Sequence, residues 1–202
     1  MFTIPAELIG IDDYPVVDLL LRLDRLPTPD EGVSARGRSW QGGGKVATAV
    51  CAAGRLGVSV DFVGIVGDDA LGRFLREDFI RHGVGTQRLI SQPGAATILN
   101  VVLSQQRDNS RSFIGTPGSC RRLELSDIGR EHIHSAKLLH LWQMTEVGRQ
   151  AARWAKEAGV TVSFDGDYYD EAIHNNLDLT DVFIISEYYY RSAFSGGSVR
   201  ET

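Results

Sequence analysis

Runs of β-branched residues alternate with helically spaced apolar residues along most of the chain. The segment VSVDFVGIVG predicts a buried strand near 58–66, because it is rich in valine and isoleucine and ends at a glycine. Apolar side chains then recur at helical spacing, at Leu71, Phe74, Leu75 and Phe79. This second pattern predicts a helix that stops before Gly83.

The same alternation returns in the second half of the chain. Residues 137–142, 160–164 and 181–186 predict strands, and a helical stripe over 147–158 ends at Gly159. Strands separated by helices usually pair in parallel through right-handed crossovers. The pattern therefore predicts an α/β fold with one largely parallel sheet covered by helices on both faces.

Three segments interrupt this alternation: residues 33–40, 97–104 and 111–115. The last two flank the polar turn QQRDNS, which is typical of an antiparallel pair of strands. We expect the three segments to form a small antiparallel sheet that projects from the main domain. Two interpretations of this sheet, over 33–40 and 97–115, stay open: a lid over a ligand site, or an ordinary edge hairpin.

Composition and charge exclude several classes of protein. The chain has 202 residues, of which 43% are hydrophobic and 23% charged, as in ordinary globular domains rather than disordered ones. A formal net charge of −5 argues against a nucleic-acid partner. No apolar run approaches the roughly 20 residues of a membrane span, and no signal peptide opens the chain. With only two cysteines, we expect a soluble protein of the reducing cytoplasm.

The segment WQGGGKVATAVCAAGRLG, residues 40–57, is the most unusual in the chain. Its glycines allow the backbone to approach a ligand, and a following helix would offer free amides to oxygen atoms. A tightly packed turn explains the glycines equally well. Gly44-Lys45 matches the G-K of a phosphate-binding P-loop, but the P-loop is excluded, because Val46 replaces Ser or Thr and Ser39 replaces Gly. Cys51, among alanines, is interpreted as a small core residue.

Two ordered motifs in this region resemble a known family. GGGKVATAVCAAGRLG followed by VDFVGIVGDDALGRFLREDFIRHGV is similar to the signature region of the ribokinase-like (PfkB) carbohydrate kinases. Upstream, Asp18 stands nine residues before Pro27, as an Asp does in the opening segment of that family. The resemblance covers essentially the whole chain. It implies a three-layer α/β/α fold with a β lid, a sugar substrate, and the cofactors ATP and Mg²⁺.

The resemblance implies a sugar site at five positions. The two carboxylate oxygens of Asp18 suit two neighbouring sugar hydroxyls. Gly43 and Gly44 are implied to bring backbone amides against the sugar, and Gln143 to hydrogen-bond it. Thr48 occupies the position of a sugar-contacting Asn in many members, and Thr there resembles the sulfofructose and fructose-derivative kinases. Structural roles stay open as alternatives: a surface carboxylate, a turn-facing threonine and a solvated strand end.

Acidic residues at three further places are candidates for a ligand contact or a structural role. Asp68 and Asp69 begin a predicted helix, where capping explains them better than a ligand contact. Asp165 and Asp167 follow a predicted strand, so they suit either a magnesium and phosphate environment or the cap of the next helix. Glu187 is a further candidate for the magnesium and phosphate environment.

The chain also departs from the family. These kinases carry a D-T-x-G-A-G-D motif near their C-terminus, where the GAG turn binds phosphate and the last Asp is the general base. No GAGD string occurs in the 202 residues. The stretch that corresponds to the N-x-x-E motif reads Ser186, Glu187, Tyr188, Tyr189. We therefore expect an incomplete kinase domain over residues 1–202, without its C-terminal part and without a catalytic base.

Two functions follow from these observations. In the first, the chain carries the sugar-binding part of an enzyme that phosphorylates a hydroxyl of a sugar or sugar derivative with ATP. In the second, it is a catalytically inactive sugar-binding or interaction protein. In both, the expected partner is a small sugar, not a nucleic acid or a membrane. The resemblance also implies a homodimer formed through the lid.

Overall fold

The computed structural model describes residues 6–194, which form ten strands and six helices. The strands are β1 Leu8–Ile11, β2 Val16–Leu23, β3 Gly37–Gly43, β4 Val60–Gly67, β5 Val84–Gln92, β6 Leu99–Gln105, β7 Arg111–Thr116, β8 Leu138–Leu141, β9 Thr161–Gly166 and β10 Val182–Ile185. The helices are α1 Lys45–Arg55, α2 Ala70–Arg81, α3 Arg130–His134, α4 Glu146–Glu157, α5 Glu171–His174 and α6 Glu187–Ala193.

Six strands form the main sheet, in the order β10-β9-β8-β1-β4-β5. Every neighbouring pair is parallel. The four strands predicted for this sheet all lie in it, as β4, β8, β9 and β10. The sequence pattern missed β1, which has only four residues, and β5, an edge strand whose side chains alternate poorly between buried and exposed.

Helices cover both faces of this sheet, as predicted. On one face α1 and α2 enclose a core that includes Val46, Phe62 and Phe79. On the other face α4 packs closely because Ala151 and Ala155 are fully buried. Both main helices end as predicted, with Gly83 and Gly159 at positive φ of 77° and 71° just after α2 and α4.

The helices are short. The longest, α2 and α4, have 12 residues each, whereas a helix that crosses a bilayer needs about 20. In the part of the chain that the structure describes, no helix combines the length and apolarity of a membrane span.

Four strands form a second sheet, in the order β3-β2-β6-β7, which we call the lid. Two details of the predicted lid were wrong. Its central strand β2 was not assigned, and β2 pairs with β6 in parallel, so the sheet is mixed rather than antiparallel. The parallel pair follows from the long connection through α1, β4, α2 and β5. The first lid strand also begins later than expected, at Gly37.

Candidate functional site

The turn Gly43–Gly44 joins lid strand β3 to helix α1, where the two sheets meet. Gly44 is the N-cap of α1 with φ 103°, a backbone conformation that residues with a Cβ rarely adopt. Gly43 has no room for a side chain, because a Cβ there would lie 2.2 Å from Oδ2 of Asp18. Gly44 offers no side-chain cap to the first amides of α1. These amides therefore remain donors for another acceptor.

Asp18 and Asn100 stand side by side on the lid, on the paired strands β2 and β6. Asn100 Nδ2 donates a hydrogen bond of 3.1 Å to Asp18 Oδ1. Partial burial raises the pKa of Asp18, and the Asn100 amide acts in the opposite direction. The arrangement places a carboxylate and an amide next to the Gly43 backbone, and such a set can hold adjacent hydroxyl groups.

Lys45, the first residue of α1, reaches over to the carboxyl ends of the main-sheet strands. Its Nζ lies 2.8 Å from Asp167 Oδ2 and 4.7 Å from the centre of the Trp142 ring. The lysine thus carries a positive charge beside the Gly43–Gly44 turn. The sequence analysis considered Lys45 only in the comparison with a P-loop and did not predict a functional role for it. The signal it missed was a lysine at the start of a helix that follows a run of glycines.

Asp12 follows β1 at its carboxyl end and is 3% exposed. Its Oδ1 accepts a hydrogen bond from the Tyr14 amide, and its Oδ2 lies 3.7 Å from the position of a Cβ on Gly44. Burial raises the pKa of Asp12 to about 6, against the opposing effects of the neighbouring Trp142 indole and the Tyr14 amide. Sequence reasoning missed Asp12 because it missed the short strand before it.

Asp165 and Asp167, two residues apart, flank the same strand end, as expected for positions that share one side of a strand. Burial raises the pKa of Asp165, while Lys45 and His140 lower it and Asp167 raises it further. Burial lowers the pKa of His140. Its Nδ1 lies 3.2 Å from the hydroxyl oxygen of Ser163. Two carboxylates at a strand end fit Mg²⁺, which prefers oxygen ligands and retains several waters. Asp167 would share its carboxylate between that ion and Lys45.

The other predicted residues lie around this cluster. Thr48 is exposed on α1, one turn after Gly44, whose carbonyl accepts the Thr48 amide hydrogen bond. Gln143 lines a small cleft together with Asp12. Glu187 is exposed and pairs with Arg191 of its own helix. The structure therefore places Gln143 beside the cluster and Thr48 on its outer side, and it pairs Glu187 elsewhere.

Asp69 has a structural role, as the sequence favoured. It caps α2 by accepting the amide hydrogen bond of Gly72. It also accepts hydrogen bonds from the amide and the hydroxyl of Thr97. Asp68 is exposed beside it. The hydrogen bonds between Asp69 and Thr97 therefore link the start of α2 to the loop that leads into the lid.

Comparison with known proteins gives a consistent result. The family model described as "pfkB family carbohydrate kinase" matches residues 10–188. An ATP-dependent ribose-1-phosphate kinase of Halopiger xanaduensis is 34% identical over 149 residues, which cover 73% of this chain and 50% of that protein. A fructokinase of Vibrio alginolyticus is 31% identical over 148 residues, which cover 69% of this chain and 48% of that protein.

A solved structure shows the same fold. A putative ribokinase from Agrobacterium tumefaciens matches with a TM-score of 0.84 at 19% identity, and the match covers 98% of this chain and 64% of that one. The chain spans about half the length of the two curated relatives. The three-layer architecture with its small second sheet is therefore shared with larger proteins.

Proposed function

The chain belongs to the pfkB family of carbohydrate kinases, and on that premise we propose that it holds the sugar substrate of an ATP-dependent phosphotransferase. The observation that carries the proposal is the contact of Asp18 with both Asn100 and the Gly43 backbone. A carboxylate fixed in this way can accept hydrogen bonds from two adjacent hydroxyls, a pattern that most sugars present.

Several sugars are compatible with the site. The names of the two relatives point to ribose 1-phosphate and to fructose. A threonine at position 48 is the residue expected in kinases of fructose derivatives. We propose a sugar or sugar phosphate with vicinal hydroxyls, held at Asp18 and Asn100. Gly43, Gly44 and Gln143 would complete the pocket.

The residues next to the sugar site fit the cofactors of the family. Asp165 and Asp167 would hold Mg²⁺, and Lys45 with the uncapped start of α1 would meet a phosphate. When bound, magnesium-ATP supplies the phosphoryl group and part of its charge neutralisation. The role of this chain is then to place the hydroxyl and to hold positive charge beside it, through Lys45.

Sugar binding by the 202-residue chain tests the proposal. Calorimetry with ribose, ribose 1-phosphate, fructose and fructose phosphates should identify at least one ligand. Asp18→Asn should weaken its binding about tenfold to a hundredfold, because hydrogen bonds to a charged acceptor contribute about 1.5–3 kcal/mol. Asp24→Asn is the matched control, since Asp24 directly follows β2, the strand that carries Asp18, but pairs with Arg36 in solvent. Equal binding by the wild type and Asp18→Asn would refute the assignment.

A catalytically inactive sugar-binding protein is the second candidate for these 202 residues, which contain no GAGD string. A missing general base typically costs about 10² to 10⁴ in rate. We therefore propose that the 202-residue chain binds sugar but consumes ATP near the background rate. Sugar-dependent ATP consumption by this chain, abolished by Asp18→Ala, would show that the base lies within these residues.

A further inference from the structure

Three side chains of different chemistry converge between α1 and α2. A thiol, a carboxylate and an imidazole offer one ligand atom each, from Cys51, Asp78 and His82, and these atoms all lie within 4.8 Å of one another. Sulfur, nitrogen and oxygen in one small group are the donors that zinc accepts in proteins. We propose that these residues bind one Zn²⁺ ion and so link α1 to α2.

Asp78 is a buried carboxylate that requires a cation. It is 7% exposed, and its Oδ2 lies against Gly42 of the lid strand β3, 2.6 Å from the position of a Cβ there. Its partners in the structure are His82, whose Nδ1 lies 3.6 Å from Oδ2, and Arg81, 3.1 Å from Oδ1, whose side chain is 62% exposed. A partner this exposed can leave for solvent, and a metal ion then replaces its charge at the buried carboxylate.

His82 lies beside the Asp78 carboxylate, directly after the last residue of α2. Its Nδ1 lies 2.7 Å from the backbone carbonyl oxygen of Asp78. When Nδ1–H donates to that carbonyl, the lone pair of the imidazole is on Nε2. Metal-binding histidines are usually held by such a bond from the other ring nitrogen. In that tautomer Nε2 is the ring nitrogen that remains available to a metal ion.

Cys51 completes the set from the opposite helix. Burial, together with a smaller effect of the Asp78 carboxylate, raises the pKa of its thiol to about 11, so the free protein holds a neutral thiol. Zinc binding replaces the thiol proton with a sulfur–zinc bond and releases that proton to water. In a tetrahedral zinc site the donor atoms lie roughly 3.3–3.8 Å apart. The three ligand atoms lie within 4.8 Å of one another, so a bound ion would draw them closer by up to about 1.5 Å.

The position gives the ion a structural consequence. Helix α1 begins at the Gly43–Gly44 turn, and Asp78 touches the lid strand that leads into the same turn. A bound ion would therefore fix the spacing of α1, α2 and β3 behind the candidate sugar site. This inference does not depend on which sugar binds, or on whether ATP is used.

Cobalt spectroscopy on the full 202-residue chain tests the site. Co²⁺ should give a thiolate-to-metal charge-transfer band in the near ultraviolet at one ion per chain, and Zn²⁺ should abolish it while excess Mg²⁺ should not. Cys51→Ser should remove the band, and His82→Gln should weaken binding about tenfold or more. Cys120→Ser, which changes the other cysteine, is the matched control and should keep the band.

A second measurement separates ligand loss from misfolding. Zinc should raise the melting temperature of the wild type and of Cys120→Ser, but not that of Cys51→Ser or His82→Gln. Metal-free circular dichroism spectra of the four proteins should agree. A wild type without the charge-transfer band, or a band that survives in Cys51→Ser and disappears in Cys120→Ser, would overturn the proposal.

Discussion

The two sheets of this protein are built on different principles. Helices cover both faces of the main sheet up to its edge strand β10, where Ile184 is 57% exposed. In the core, Phe62 of β4 stacks on Phe79 of α2 with ring centres 4.6 Å apart. The lid has thin cover, and its aromatic and aliphatic residues Trp40, Phe113 and Ile114 are exposed by 48%, 60% and 57%. Apolar burial therefore stabilises the first sheet far more than the second.

The difference in exposure between the two sheets separates the part of the molecule that stabilises the fold from the part that makes contacts with ligands or partners. Large exposed apolar residues in a small sheet that also carries Asp18 indicate a surface used for contacts rather than for the fold. The main sheet instead fixes the ends of its strands, where Asp12, Asp165 and Asp167 lie. Substitutions in the two sheets should accordingly have different readouts.

The largest expected effect comes from the core of the main sheet. Phe79→Ala removes a ring that is 2% exposed, and it should lower the free energy of unfolding by about 3–5 kcal/mol. Phe113→Ala on the lid, where the ring is 60% exposed, should change it by no more than about 0.5 kcal/mol. Urea denaturation of both variants measures the contrast. Similar losses in the two variants would show that the lid contributes to the core.

The next effect concerns the pH dependence of stability. Asp12 has a folded-state pKa of about 6 against an ordinary value of 3.8, so between these pH values the native state holds a proton that the unfolded chain has lost. Its contribution to stability is therefore largest below pH 3.8 and falls as the pH rises to about 6. The loss amounts to about 3 kcal/mol.

Asp12→Asn tests this linkage, because an amide stays neutral at every pH. The variant should gain stability relative to the wild type, by about 3 kcal/mol, as the pH rises through that window. Asp18→Asn on the half-buried lid position should show the same sign and a smaller change, since burial raises the pKa of Asp18 as well. Urea midpoints at a series of pH values give both curves. A gap between Asp12→Asn and the wild type that is constant with pH would contradict the assignment.

The smallest effect on the free energy of unfolding is expected for a lid substitution that changes the oligomeric state. We propose a homodimer formed through the lid, because Trp40 and Ile114 leave an apolar surface there. Ile114→Asp should weaken self-association about tenfold or more with little change in unfolding free energy. Ile184→Asp is the matched control, since Ile184 is also 57% exposed but lies on β10 of the main sheet. Sedimentation measures both, and dissociation by Ile184→Asp alone would move the interface to the main-sheet edge.

Local patterns in the sequence were sufficient for much of the fold. Four strands of the main sheet have runs of β-branched or aliphatic residues. Helices α2 and α4 are each followed by a glycine in the left-handed conformation, which glycine adopts more readily than other residues. The ordered glycine and aspartate motifs also identified the family. These features depend on neighbouring residues, so they can be read without knowing what packs against them.

Only the tertiary structure decided the pairing of β2 with β6 and the composition of the site. Asn100 meets Asp18 across 82 positions of sequence, and Lys45 meets Asp167 from another layer of the molecule. Asp12 owes its raised pKa to burial, which no local pattern measures. Strand order and long-range side-chain contacts depend on how the layers pack as a whole. For that reason the sequence predicted which residues could bind a sugar, and the fold determined which of them stand together.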